Sequence, residues 1–305
     1  MNITRVRAGE MATPLIALEV DGALYDAVAL ERRWGLTSWS TSADFHARVF
    51  GARAAGLDQV DARLRSGDRP RAARILGAMP LPPCDPDRTT YVQLGPPPSP
   101  QPPVRVGTVA ADEAPSREHP HPVRFVVHEA RSMLGDGHPV PLAGGPHVGL
   151  GFAALLGDDL YDASPREVKR GVLGFSLLAD WTPVDRWRGR VGGAHDGPTQ
   201  LGPGLVTRLS FRDLDDLVAT IDVSGRRPRR WTGAPVTGAE CAAAVSWVTR
   251  AMPLRAGDVV GLPAALTLGP EDLGFGDRVT LSVEDRRGRR RLQSLHGWAV
   301  AAPPL

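Results

Sequence analysis

The chain has 305 residues, 42% of them hydrophobic and 23% charged, with a net charge of +2, which describes a globular protein with one large core and a smaller satellite and excludes a disordered chain. No apolar run reaches the ~18 residues of a membrane-spanning helix, and the first residues lack the basic-then-apolar pattern of a secretory signal, so a cytoplasmic protein with no membrane partner is expected. Lys169 is the only lysine, which confines any Schiff-base chemistry to that position, and Cys84 and Cys241 lie far enough apart to be read as free thiols.

Residues 1–35 alternate in the manner of strands (ITRVRAG, LIALEVDG, ALYDAV), and Asp21-Gly22 between apolar flanks signals a hairpin. From residue 42 to 64 the apolar residues Phe45, Val49 and Ala52, then Leu57, Val60 and Leu64, fall three and four apart and predict an amphipathic helix, weakened at Gly51 and Gly56. Residues 81–103 hold two proline-rich runs, and proline fixes φ and removes a donor, so an extended connector is expected there. It separates a small β-rich N-terminal module with a helix, residues 1–80, from a larger domain over residues 104–305.

Within that domain, residues 148–156 read as a buried strand followed by a GDD loop. Ser164, Pro165 and Glu167 have the spacing of a capped helix start, and the helix leads into a strand over 174–178 with Asp180 at its end. The run LDDLVATIDVSGRRPRRW predicts a strand, a turn at Ser224-Gly225 and a return strand. Thr237 and Glu240 start a helix that runs through Met252. The arginine runs at 226–230 and 286–291 coincide with expected hairpin turns and have no interleaved aromatics, so they are read as solvated turns and no nucleic-acid partner is expected.

The segment PLAGGPHVGLGFAALLGDDLYDASPREVKRGVLGFSLLADWTPVD, residues 141–185, resembles the core of the fumarylacetoacetate hydrolase superfamily. Gly107, Pro122, Phe125, Gly135, Gly137 and Pro139 before it, and Asp196, Gly202-Pro203 and Val260-Gly261-Leu262-Pro263 after it, follow the order of the family's short patterns. The resemblance implies an α+β, β-rich fold, with a mixed β-sheet roll as the C-terminal domain, and a homodimer. Family members hold a divalent metal with two glutamates at i and i+2 on a strand and an aspartate further along. Side chains at that spacing share a strand face, and three carboxylates suit magnesium, manganese or calcium.

In this chain the glutamate positions fall on Gly149 and Gly151, and of the three only Asp180 is kept. The family's water-activating histidine falls on Glu113, its lid lysine on Gly193 and its ligand-facing threonine on Leu262. No metal site and no cofactor are therefore expected. One reading is a pocket refitted for a metal-independent reaction, in which Gly149 and Gly151 open volume and Trp181 and Leu262 line it, an apolar setting that raises a carboxyl pKa toward useful values. The candidate catalytic groups are Asp180, Glu113, Asp196, His195 beside it, and His128, which falls near a family lysine.

Five of the eight histidines, His119, His121, His128, His138 and His147, cluster in sequence, but they flank prolines and turns and lack the spacing of a transition-metal site. The expected activity is cyclisation, isomerisation or carbon–carbon lysis of a small or medium carbonyl compound, such as a polyketide-like 1,3-dicarbonyl or enol, in bacterial secondary metabolism. Two alternatives stay open. One is a family hydrolase or decarboxylase with a relocated metal, and the other is a pseudoenzyme that binds a ligand or a protein partner.

Overall fold

A computed structural model describes residues 1–8, 14–36, 49, 54–84, 88–94, 125–129, 133–142, 144–183, 198–207, 209–232, 237–262, 264 and 266–302. Its centre is a long antiparallel hairpin of Pro146–Leu156 and Val172–Pro183. Both strands are buried on both faces because a core lies on each side. Val148, Leu150, Phe152 and Ala154 with Phe175, Leu177, Ala179 and Trp181 enter one core. Ala153, Leu155 and Leu178 enter the other, since successive strand residues point to opposite faces.

The larger sheet extends outward from this hairpin. On one side lie Gly204–Val206, Asn2–Ala8, Leu15–Val20, Ala23–Asp26 and Arg74–Ile75; on the other lie Val259–Gly261, Thr90–Leu94 and Phe125–Glu129. A second, five-stranded sheet is formed by Arg229–Thr232, Leu217–Val223, Val279–Asp285, Arg290–Ala301 and Pro139–Leu142. The result is the β-rich α+β fold expected from the sequence. The N-terminal strands are hydrogen-bonded into the same sheet as the central hairpin, through Ile3↔Leu205 and its neighbours.

The local signals hold where the chemistry is short-range. Asp21 and Gly22 adopt positive φ of 51° and 74° at the hairpin turn between Leu15–Val20 and Ala23–Asp26. Ser164 and Glu167 form a reciprocal capping box at the start of the helix Pro165–Gly171, and Thr237 and Glu240 do the same for Gly238–Ala251.

Three expectations need correction, and a fourth is described in part. The strand read through ALYDAV stops at Asp26, whose carboxylate accepts from the Ala29 amide at 3.0 Å and starts a helix over Ala27–Trp34. The helix expected from residue 42 is described over Ala54–Arg65; residues 42–48 and 50–53 lie outside the described residues. The connector contains a strand, Thr90–Leu94, because its β-branched and aromatic run TYVQL is long enough to pair between prolines. Asp180 is not at a strand end: the strand continues to Pro183.

Candidate active site

Asp180 faces Gly149 across the central hairpin, and its other cross-strand neighbour is Thr199, on the strand Thr199–Leu201. Gly151 lies two positions beyond Gly149, which places it on the same strand face. The three residues that the resemblance singled out for the metal-binding positions are thus together, on the face shared with the core of Leu178, Leu201 and Tyr91. Asp180 is 4% exposed. A Cβ on Gly149 would sit 3.0 Å from Ala264 Cβ and 3.8 Å from Thr267 Cγ2, so a side chain there has close neighbours.

The strand Thr90–Leu94 reaches this face from the far side. Val92 and Leu94 enter the opposite core, so alternation turns Tyr91 and Gln93 toward Asp180. The Tyr91 hydroxyl donates to Gln93 Oε1, and the Gln93 amide donates to the Leu94 carbonyl at 3.1 Å. Burial holds the Tyr91 phenol well above its ordinary range, the nearby Asp180 charge pushes it the same way, and a hydrogen bond with Thr199 opposes them. The strand is anchored at its start by Asp258, which accepts from the Thr90 amide at 2.7 Å and from the Arg255 amide at 2.7 Å. Burial raises the Asp258 carboxyl, and these bonds offset part of the rise. His147, two residues before Gly149, shares its face and pairs with Thr182.

Other expected site residues are placed elsewhere. Trp181 and Leu262 line the opposite face of the sheet, which corrects their expected place around the pocket. Trp181 follows Asp180 and must point the other way, where its indole donates to Gln200 Oε1 at 2.9 Å. Leu262 packs in that same core, and its amide donates to the Phe152 carbonyl at 2.8 Å. His128 is described by its backbone, which pairs with Tyr91. Glu113, His195 and Asp196 lie outside the described residues, as does Gly193.

Sequence reasoning missed Tyr91, Gln93 and Thr199 on this face, and weighed His147 only as a transition-metal ligand. The first two carried a signal, polar side chains at i and i+2 in an otherwise apolar strand run, but it lay inside the segment read as a connector. His147 carried one as well, two positions from Gly149.

The family description fumarylacetoacetate (FAA) hydrolase C-terminal matches residues 101–291. The chain belongs to the fumarylacetoacetate hydrolase family. No curated protein matches it by sequence. Among solved structures it is similar to the maleylpyruvate hydrolase of Sphingobium sp. SYK-6 in complex with manganese(II) ion and pyruvate, at 16% identity and a TM-score of 0.65, over 99% of this chain and 100% of that one. It is also similar to the 2-hydroxyhepta-2,4-diene-1,7-dioate isomerase of Mycobacterium marinum, at 16% identity, a TM-score of 0.63 and full coverage of both chains. A third similar structure is the fumarylacetoacetate hydrolase of psychrophilic Exiguobacterium antarcticum, at 18% identity and a TM-score of 0.65, over 99% of each chain.

The expectation of no cofactor for this chain, in a family that uses magnesium or manganese, is overturned by the manganese of the maleylpyruvate hydrolase. The described residues of this chain do not by themselves fit such an ion. Gly149 and Gly151 have no donor side chain, and among the described residues no three His, Cys, Asp or Glu side chains gather into a group that could hold a metal. Asp180, with His147 further along the same face, is short of the six or more oxygen ligands a hard cation takes. What the described face does offer is one buried carboxylate beside a neutral phenol, a set suited to moving a proton at a carbon next to a carbonyl. Among the described residues no helix is long and apolar enough to cross a membrane.

Proposed function

We propose that this protein is an enzyme of the family that acts on a small or medium carbonyl compound able to enolise, a 1,3-dicarbonyl or 2-oxo acid, with Asp180 as its acid–base group. The observation that carries the reading is the Asp180 carboxylate on a buried sheet face, whose cross-strand neighbour Gly149 sets no side chain against it. Isomerisation is the reaction this supports best. A single carboxylate takes the proton from one carbon, the bonding pair moves into the conjugated carbonyl, and the same carboxyl returns the proton at a second carbon. Cyclisation and carbon–carbon lysis begin with the same proton transfer. The homodimer and a setting in secondary metabolism belong to this reading and rest on the resemblance and the composition.

Deuterium incorporation from heavy water into the pyruvate methyl group, followed by proton NMR, tests it directly. The native protein is expected to accelerate exchange, and Asp180→Asn to lose at least about 10²-fold of that rate, the lower end of what a positioned acid–base group supplies. Retention of the rate in Asp180→Asn would defeat the assignment and favour a ligand-binding role. The manganese of the maleylpyruvate hydrolase favours a second reading, a metal-assisted hydrolase. Metal analysis of the purified protein and cleavage of an acylpyruvate before and after chelation separate the two: stoichiometric metal with chelator-sensitive cleavage identifies the second.

A further inference from the structure

Tyr91 is 1% exposed, yet its phenol is not set in an apolar wall. A buried tyrosine keeps its polar end where a partner receives it. Here Gln93 Oε1 receives the proton, and Gln93 is held in that orientation because its amide is committed to the Leu94 carbonyl. Gly261, the register neighbour of Gln93 on the adjoining strand, keeps the place open. A Cβ there would stand 2.8 Å from the phenol oxygen and closer still to Gln93 Oε1, inside the distance real Cβ atoms keep. Thr199, the cross-strand partner of Asp180, hydrogen-bonds the same phenol. Four strands therefore converge on one hydroxyl, and the carboxylate beside it is the one the proposed chemistry uses.

We propose that Tyr91 is a catalytic residue of this site, a neutral hydrogen-bond donor to the carbonyl oxygen of an enolisable substrate while Asp180 handles the carbon-bound proton. The inference rests on the Asp180 reading above. As the carbon–hydrogen bond breaks toward Asp180, its electron pair forms the carbon–carbon double bond and the carbonyl π pair moves onto oxygen. The Tyr91 hydroxyl turns from Gln93 to that oxygen and stabilises the enolate without giving up its proton. The proton then returns from Asp180 to carbon, and both residues end as they began. A phenol kept neutral by burial and by a neighbouring carboxylate suits this role, because it stabilises developing negative charge through a fixed dipole and adds no second anion.

Deuterium exchange into pyruvate provides the test. Tyr91→Phe is expected to lower kcat for exchange by about 10²-fold, the effect of removing one oxyanion donor, with KM within about threefold of the native protein. Exchange within about threefold of native in a folded Tyr91→Phe protein overturns the inference and leaves the Asp180 reading standing; native exchange that survives Asp180→Asn, or no exchange at all, overturns both. Should Tyr91→Phe fail to fold, 3-fluorotyrosine replaces Tyr25, Tyr91 and Tyr161 together. The more acidic phenol is expected to speed exchange and its ¹⁹F resonance to move on adding pyruvate. An unchanged rate and an unmoved resonance overturn the inference.

Discussion

A phenol buried beside a carboxylate has a signature that activity alone does not reveal. The Tyr91 hydroxyl stays protonated well above its ordinary range, chiefly because burial disfavours the phenolate and then because Asp180 repels it. Above about pH 10, where a tyrosine in the unfolded chain ionises, the folded protein still holds a proton that the unfolded chain has released. Stability contributed at this position is therefore complete below that pH and is lost as pH rises toward the folded-state value. Urea unfolding at steps between about pH 9.5 and 11.5 is expected to show a steeper decline for the native protein than for Tyr91→Phe. Equal slopes would mean that the phenol is not shielded. Asp180 could be picked out from the sequence because its spacing from the GLG motif survives, whereas Tyr91 could not, since nothing local says which strand of a sheet will lie across from another.

The central hairpin shows at the level of elements why part of the site was legible. An i, i+2 spacing fixes a shared face on any strand, so Gly149 and Gly151 could be assigned to one side before any fold was known, and their register with Asp180 agrees. The same rule sends Trp181 to the other side; its apolar ring suggested pocket lining, but the alternation ruled it out. The geometry makes a sharp prediction. Gly149→Glu combined with Gly151→Glu places two carboxylates on the Asp180 face, and Ala264, half-buried and 3.0 Å from the new Cβ, has to yield only a few tenths of an ångström. The double variant is expected to bind manganese(II) at least about tenfold more tightly than the parent, by titration calorimetry. No gain would show that the added carboxylates do not converge on Asp180. The connector was misread because proline content dominates composition over residues 81–103, while the five residues that pair there are outnumbered.

For the molecule as a whole, the two sheets are joined by polar links among the described residues, of which Gln200 makes several. It is fully buried on the larger sheet, accepts from the Trp181 indole at 2.9 Å, and donates to the carbonyl of His138 at 2.9 Å and of Gly135 at 3.3 Å, beside the second sheet. Gln200→Leu leaves an indole donor and at least one carbonyl without a buried partner, each costing about 1–3 kcal/mol. Unfolding free energy in urea is expected to fall by about 3 kcal/mol, and a loss below about 1 kcal/mol would mean that water replaces the amide. Such a link spans segments far apart in sequence, which is why the strands were foreseeable and their assembly into two sheets was not.

The double-sided burial of the hairpin has a consequence for inheritance. Because alternate residues of one strand belong to separate cores, a substitution on the Asp180 face leaves the packing register of the other face untouched. Selection can then rewrite the Asp180-facing half of the strand by single steps while the other half keeps the fold in being. A lineage carrying this hairpin can abandon one chemistry and try another without passing through an unfolded ancestor, and glycines at positions 149 and 151 are what an intermediate on such a route would carry.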